Sequence, residues 1–307
     1  MKIIEKTTEF RIGQETAVAI GKFDGFHRGH QKLLNRIKEQ KERGLASVVF
    51  TFVPSPAAFF SKEPEQDLTT IEEKRKIFEE AGVDYLIEYP FYQEIADMDP
   101  EIYISKVLVE QLNAKCIVAG EDVSFGKKGL GDCRLLKEKA MQYGYEVVII
   151  DKVLYKGKEV SSTYVREAVR QGDMELADQL LGQPYHVEGT IVHGRHLGSS
   201  LGMPTVNIVP PEQKLLPPNG VYFSYIKMNG NIYQGITNIG TKPTVSGEAV
   251  MGVETYIYDF SRDVYGQEAE VYLLHYKRPE MRFDGIEALK AQMATDIAKG
   301  REYHGLA

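Results

Sequence analysis

The feature that most constrains this chain is a change of hydrophobic period near residue 185. Before it, short β-rich runs alternate with longer helical patterns: TAVAIG (16–21), a helical stretch from about Gly29 to Arg43, then LASVVFTF (45–52). The alternation continues through helical 71–81 and VDYLIEY (83–89), helical 100–112 and AKCIVAG (114–120), and helical 132–143 and YEVVIID (145–151). Helical signals over about 162–171 and 174–181 close the region. Runs that are apolar on both faces, such as VVF and IVA, predict a parallel sheet covered by helices on both sides, with ligands at the carboxyl ends of its strands. After LLGQPY (180–185), six short alternating strands follow, punctuated by Gly and Pro: HVEGTIVH, PTVNIV, VYFSYIKM, NIYQGITNI, VETYIYDF and EAEVYLLHY. They predict a small barrel. Ile286, Leu289, Met293 and Ile297, at helical spacing, predict a final amphipathic helix over about 285–299 that covers an open face. The boundary is expected at 183–186, giving an α/β domain over 1–183 and a β domain over 184–307.

A length of 307 residues suits two domains, each able to bury its own core. No run approaches the ~18 to 20 apolar residues of a membrane-spanning helix. The amino terminus, MKIIEKTTEF, lacks the apolar centre of a secretory signal, so a cytoplasmic location is expected. Cys116 and Cys133, far apart and without metal-ligand spacing, fit thiols in a reducing compartment. The 37 Lys and Arg against 44 Asp and Glu leave a net charge of −7, which disfavours a nucleic-acid partner. Small anions remain compatible, because Gly-rich turns and helix amino termini bind phosphate against an unfavourable net charge.

The densest chemical signal is Gly21-Lys22-Phe23-Asp24-Gly25-Phe26-His27-Arg28-Gly29-His30, where the first strand hands over to the first helix. Such a turn aims backbone N–H groups and the positive end of the helix dipole at one point, which suits phosphate. His27 and His30, three apart, share a helical face and can donate to phosphate oxygens. An isolated His pair at this spacing is more often a surface or capping feature; the glycines and strand context favour phosphate here. No Cys or carboxylate completes a zinc set. GEDVSFGKK (120–128) is not a P-loop, since its glycines are one residue too far apart and no Ser or Thr follows the Lys. The first strand is not followed by G-x-G-x-x-G either, which disfavours nicotinamide chemistry.

GKFDGFHRGH is similar to the G-x-F-D-G-x-H-x-G-H signature of the bacterial bifunctional riboflavin kinase/FMN adenylyltransferases, also called FAD synthetases. Val160-Ser161-Ser162-Thr163-Tyr164-Val165-Arg166 resembles that family's I-S-S-T-x-I-R segment, with Gly172-Asp173 and Leu181-Gly182-Gln183-Pro184-Tyr185 following at the junction. Leu201 to Asn207 resembles the kinase motif G-x-P-T-x-N, Asn219-Gly220-Val221-Tyr222 its N-G-V-Y turn, and Asn238-Ile239-Gly240 with Pro243-Thr244 its N-I-G-x-x-P-T loop.

The resemblance covers nearly the whole chain. It implies a Rossmann-like nucleotidyltransferase domain with a parallel sheet, then a six-stranded β-barrel riboflavin kinase domain with a carboxyl-terminal helix. It also implies two reactions: ATP phosphorylates riboflavin to FMN, and ATP then adenylylates FMN to FAD, releasing pyrophosphate. The expected partners are these small molecules, with no nucleic acid and no membrane, for a monomer or weak oligomer. Adenylyl transfer is expected from His27, His30 and Arg166, with Gly21, Phe23, Asp24, Gly25, Asp122, Ser161, Ser162 and Thr163 binding substrate. Taken alone, S-S-T before a helix is more often an N-cap.

In the barrel, Thr205 and Asn207, two apart on a strand, present two neutral oxygens on one face and are the implied Mg²⁺-ATP ligands. By pattern alone T-x-N is an ordinary strand face. Gly198, Gly202 and Pro204 belong to a glycine-rich segment, Gly194 to Gly202, that suits a phosphate flap. Glu254 occupies the place of the kinase base. Alternation puts Val253, Thr255 and Ile257 on one face and Glu254 on the other, where it would equally serve as a solvent-facing carboxylate.

Three departures from the family pattern bear on the flavin contacts of the first domain. Ser55 stands where a His is common in T-F-x-P-H-P, Val123 replaces an aromatic in G-x-D-F-x-F-G, and Gly129 falls where an Arg is often found. They motivate an alternative, a monofunctional riboflavin kinase whose amino-terminal domain only binds or senses nucleotide.

Overall fold

Strand β2 (Thr16–Ile20) is buried along its whole length, and its side chains divide between two cores. Ala17 and Ala19 face one cluster, with Phe23, Leu33 and Val49, while Val18 and Ile20 face the other, with Phe50, Ile87 and Leu108. A strand that is apolar on both faces sits inside a sheet covered on both sides. The computed structural model describes residues 1–61, 66–194, 202–243 and 249–306. By the clustering of its contacts the chain forms two units, Met1–Ser162 and Thr163–Ala307.

The first unit also contains β1 (Lys2–Glu5), α1 (Arg28–Glu39), β3 (Ala46–Val53), α2 (Pro56–Phe60), α3 (Ile71–Glu80), β4 (Tyr85–Pro90) and α4 (Gln93–Ala96). It continues through α5 (Pro100–Ile102), β5 (Ala114–Gly120), α6 (Cys133–Tyr143), β6 (Glu146–Ile150) and a small hairpin of β7 (Leu154–Tyr155) with β8 (Lys158–Glu159). The sheet is parallel, in the order β1-β4-β3-β2-β5-β6. The chain winds from β2 to β3 and β4 on one side, and β5 and β6 lie on the other. The switch in strand order therefore falls between β2 and β5, and the crevice at their carboxyl ends is where such a sheet binds ligands.

Two details depart from the periodicity. The helix expected to Arg43 ends at Glu39 and tightens into a 3₁₀ turn over Gln40–Arg43, closed by Gly44 in the left-handed region. The stretch expected as one helix over 100–112 continues from α5 as a π-helical segment, Tyr103–Gln111. Arg75 on α3 fixes that helix to the sheet: its Nε reaches Glu88 Oε1 at 2.8 Å and its Nη2 reaches Glu5 Oε2 at 2.7 Å.

The second unit takes α7 (Ser162–Gln171) from Thr163 onward, then α8 (Met174–Leu181) and six antiparallel strands: β9 (Tyr185–Val192), β10 (Thr205–Ile208), β11 (Gly220–Met228), β12 (Asn231–Pro243), β13 (Ala249–Ile257) and β14 (Glu268–Pro279). They close as a barrel in the order β10-β13-β12-β11-β14-β9. The alternation expected on β13 holds: Val253, Thr255 and Ile257 are buried inside. There Thr237 Oγ1 pairs with Ser224 Oγ at 2.7 Å and Thr255 Oγ1 at 2.8 Å, so three buried hydroxyls satisfy one another.

Helix α9 (Ile286–Tyr303) packs on the outside of the barrel, where Ile297 meets Val221, Phe223, Ile236 and Tyr258. It does not seal that face along its whole length: Ile286 is exposed, and Leu289 and Met293 line a cavity. The close approach is set by Gly300, where a Cβ would overlap the Tyr258 hydroxyl oxygen and lie 3.4 Å from the Phe223 ring. Gly300→Ala is expected to lower stability by about 1–3 kcal/mol through overpacking, read as a drop in urea midpoint; an unchanged midpoint would show that the helix seats without this contact.

Candidate functional site

At the carboxyl end of β2 the chain turns sharply into α1. Phe23, Gly25 and Phe26 have φ of 52°, 83° and 42°, a left-handed run that only surrounding contacts can hold. Gly25 N donates to Thr69 Oγ1 at 2.9 Å, Thr69 N donates to Asp24 Oδ1 at 3.1 Å, and Ser162 Oγ donates to the Asp24 carbonyl at 2.8 Å. Asp24 is fully buried, with Lys22 Nζ 3.6 Å from its Oδ2. The Phe23 ring lies 5.1 Å from the His30 ring and 5.4 Å from that of Phe78. Phe23, Asp24, Gly25 and Ser162 thus build the turn itself.

His27 caps α1: its Nδ1 accepts from Gly29 N at 3.2 Å, which places the proton of the neutral ring on Nε2 as a free-standing donor. Capping and ligand binding are therefore compatible roles for one side chain. The His27 and His30 rings stack at 3.8 Å. Burial pushes His27 down to about 4, against opposing pulls from the carboxylates of Asp24, Asp122 and Glu159. Burial also holds His30 well below its usual value, reinforced by the charges of His27, Lys74 and Lys22. His30 Nδ1 is buried without a hydrogen-bond partner among the described residues. Both rings are neutral at pH 7.

Asp122, exposed after β5, faces the same crevice closely enough to act on His27, and Gly21 closes β2. Thr163 is exposed at the start of α7, Ser161 is half-buried, and Arg166 is buried on α7 within the second unit. Beside the turn lies a cavity of about 180 Å³ lined by Lys22, Lys74, Thr51, Phe52, Ser55 and Glu88. Ser55 caps α2, accepting from Ala58 N at 3.3 Å.

In the barrel, the register places Asn207, Glu254 and Asn238 directly opposite one another across β10, β13 and β12. Thr205, two residues along on the same face, donates from Oγ1 to Glu254 Oε1 at 2.6 Å. Thr205, Asn238 and Glu254 line a cavity of about 550 Å³ between this face and α9, so Glu254 does not point into open solvent. That volume falls in the ~300–1,000 Å³ range of small-molecule sites. Gly202 and Pro204 are exposed just before β10; Gly198, Thr244 and most of the Gly194 to Gly202 segment lie outside the described residues.

Sequence reasoning missed the opposite wall. Arg278, at the end of β14, donates to Asp296 Oδ2 on α9 from Nε at 2.9 Å and from Nη2 at 2.6 Å, while Gln292 Nε2 donates to Asp296 Oδ1 at 3.0 Å. Asp296 is buried, and it and Arg278 line the cavity. The available signal was an acidic residue seven positions after Leu289 on an otherwise apolar helical stripe.

A family model for FAD synthetase matches residues 10–164, and one for riboflavin kinase matches residues 181–304. The chain belongs to the bifunctional riboflavin kinase/FMN adenylyltransferase family. Among proteins so named, that of Listeria monocytogenes is 37% identical over 97% of this chain and 95% of its own. That of Escherichia coli K12 is 37% identical over 94% and 93%, and that of Bacillus subtilis 33% identical over 99% and 98%. A crystal structure from Streptococcus pneumoniae titled a macrolide-efflux protein superposes with a TM-score of 0.84 at 29% identity, covering 96% of each chain. Among the described residues of this chain, no helix is long and apolar enough to cross a membrane.

The folded His27 binds its proton more weakly than the unfolded residue does, so its effect on stability is absent above about pH 6.5 and grows unfavourable as pH falls toward 4. The cost reaches about 3 kcal/mol. Urea unfolding between pH 7.5 and 4.5 is expected to show a steeper loss for the natural chain than for His27→Asn; equal slopes would contradict the assignment.

Proposed function

We propose that the chain makes FMN from riboflavin and ATP, and FAD from FMN and a second ATP. The adenylyltransferase function is assigned to residues 1–183 and the kinase function to 184–307. The observation that carries this reading is that each of the two matched segments has its own cavity: Thr205 and Glu254 line the one, and the other adjoins, through Lys22, the turn that carries His27 and His30. The FAD synthetase match over 10–164 favours two reactions over a kinase with a purely regulatory first unit.

In the kinase reaction, Glu254 accepts the proton of the riboflavin 5′-hydroxyl as that oxygen attacks the γ-phosphorus of ATP, and ADP leaves. Thr205 holds the carboxylate from one side through its 2.6 Å hydrogen bond, which fixes the direction of its lone pairs. The cavity of about 550 Å³ has an apolar wall of Val221, Ile236 and Phe283 for the isoalloxazine. Thr205 Oγ1 and Asn207 Oδ1 are neutral oxygens of the kind Mg²⁺ takes, and a cation held there with ATP would offset the charge of its phosphates.

In the adenylyl transfer, a phosphate oxygen of FMN attacks the α-phosphorus of ATP, a new P–O–P link forms, and the bond to the β-phosphate breaks to release pyrophosphate. The nucleophile is already an anion, so no side chain need remove a proton. The work of the protein is to position the two phosphates and stabilise their charge. His27 Nε2–H donates to phosphate as a neutral group, because its Nδ1 lone pair is taken up by Gly29 N–H. Ser161 and Asp122, both within the first unit, complete the nucleotide contacts.

Product analysis with two variants tests the division of labour. Glu254→Gln is expected to lower riboflavin phosphorylation by roughly 10²- to 10⁴-fold and leave FAD formation from supplied FMN intact. His30→Ala should do the reverse. Equal loss of both activities in either variant would contradict two separate sites.

A further inference from the structure

We propose that Lys74 and Lys22 form the subsite for the 5′-phosphate of FMN, with Lys74 its principal cation. The proposal rests on the adenylyl-transfer reading and adds the place where the nucleophilic phosphate sits. The cavity they line, about 180 Å³, is close to the volume of six waters at ~30 Å³ each. It is too small for a whole flavin, yet roomy enough for a phosphate and the carbons next to it. Lys74 is half-buried on the second turn of α3, and its ammonium makes no hydrogen bond or ion pair among the described residues. A half-buried ammonium facing a cavity without a carboxylate partner is a site for an external anion.

The acidic residues of the same cavity do not neutralise it. Glu88 is held by both Nε and Nη2 of Arg75, and Asp67 has a partner of its own. Thr51 and Ser55 add hydroxyl oxygens on the adjoining wall. The position also fits the reaction. The positive charges of Lys74 and Lys22 both reach His30, so the cavity borders the turn where ATP phosphates bind. Bringing the anionic phosphate of FMN against the α-phosphate of ATP requires positive charge on the approaching side, because two phosphates in a poorly solvated crevice repel strongly. Lys22 is shared with Asp24 at 3.6 Å, whereas Lys74 is uncommitted.

The test is the steady-state kinetics of FAD formation from FMN and ATP by the full chain carrying Lys74→Met, with Lys74→Arg as the charge-conserving variant. Loss of one charge-assisted contact is expected to raise KM for FMN roughly 10- to 100-fold in Lys74→Met while KM for ATP stays within about two-fold. Lys74→Arg should recover most of the FMN affinity. An unchanged ATP KM reports an intact first unit, and riboflavin phosphorylation in the same preparation reports an intact second. An unchanged FMN KM in Lys74→Met would overturn the proposal. So would a rise confined to the KM for pyrophosphate in the reverse reaction, which would give Lys74 to the leaving group. Should Lys74→Met not fold, equal FMN KM values for Lys74→Gln and the natural chain would overturn it as well. Absence of FAD from the natural chain would instead refute the adenylyl-transfer reading on which the subsite rests.

Discussion

The turn between β2 and α1 is the constraint on which the first unit depends. Three of its four residues from Phe23 to Phe26 have positive φ, two of them without the freedom of glycine, and such residues cost about 1–3 kcal/mol each where nothing holds them. They are held by Thr69, Ser162 and the buried Asp24 carboxylate, which tie the turn to the approach of α3 and to the end of the unit's sequence. The consequence is chemical. The turn places His27 as the cap of α1, the cap fixes its tautomer, and burial keeps the two stacked rings neutral. A pair of histidines free in solvent would be partly charged and mobile; this pair is preorganised.

The barrel reaches the same end by register. Antiparallel pairing sets Asn207, Glu254 and Asn238 in one row, with Thr205 diagonal to Glu254, so four groups from three strands meet without any special backbone. The interior hydroxyls of Thr237 and Thr255 lie on the opposite face of β12 and β13 and, with Ser224 of β11, satisfy one another. Helix α9 then stands off the barrel far enough to leave a cavity, held at one end by the glycine contact at Tyr258 and at the cavity wall by Arg278 and Asp296.

Much of this was legible in the sequence because period and motif agreed. Alternating elements up to residue 181 gave the parallel sheet, six spaced strands gave the barrel, and strand-to-helix placement singled out His27 and His30. What stayed hidden depends on partners distant in sequence. Arg278 and Asp296 are eighteen residues apart on different elements. Lys74 reads as one of several charges in IEEKRK, an ordinary helix surface, until the fold turns it toward a cavity next to residue 22. Ser162 was assigned to substrate from its motif, yet its hydroxyl proton is given to the Asp24 carbonyl, a pairing 138 residues long. The π-helical stretch over Tyr103–Gln111 had no signal in a pattern that is equally apolar at helical spacing.

The central claim, that one chain performs two phosphorus transfers of different kinds, is tested most directly by following label from ATP into flavin. With ATP labelled at the γ-phosphate, label is expected in FMN and is retained in FAD; with ATP labelled at the α-phosphate, it is expected in FAD alone, alongside unlabelled pyrophosphate. Flavin that acquires γ-label but never α-label would contradict the account, because the turn at His27 and His30 would then be a nucleotide site without adenylyl transfer.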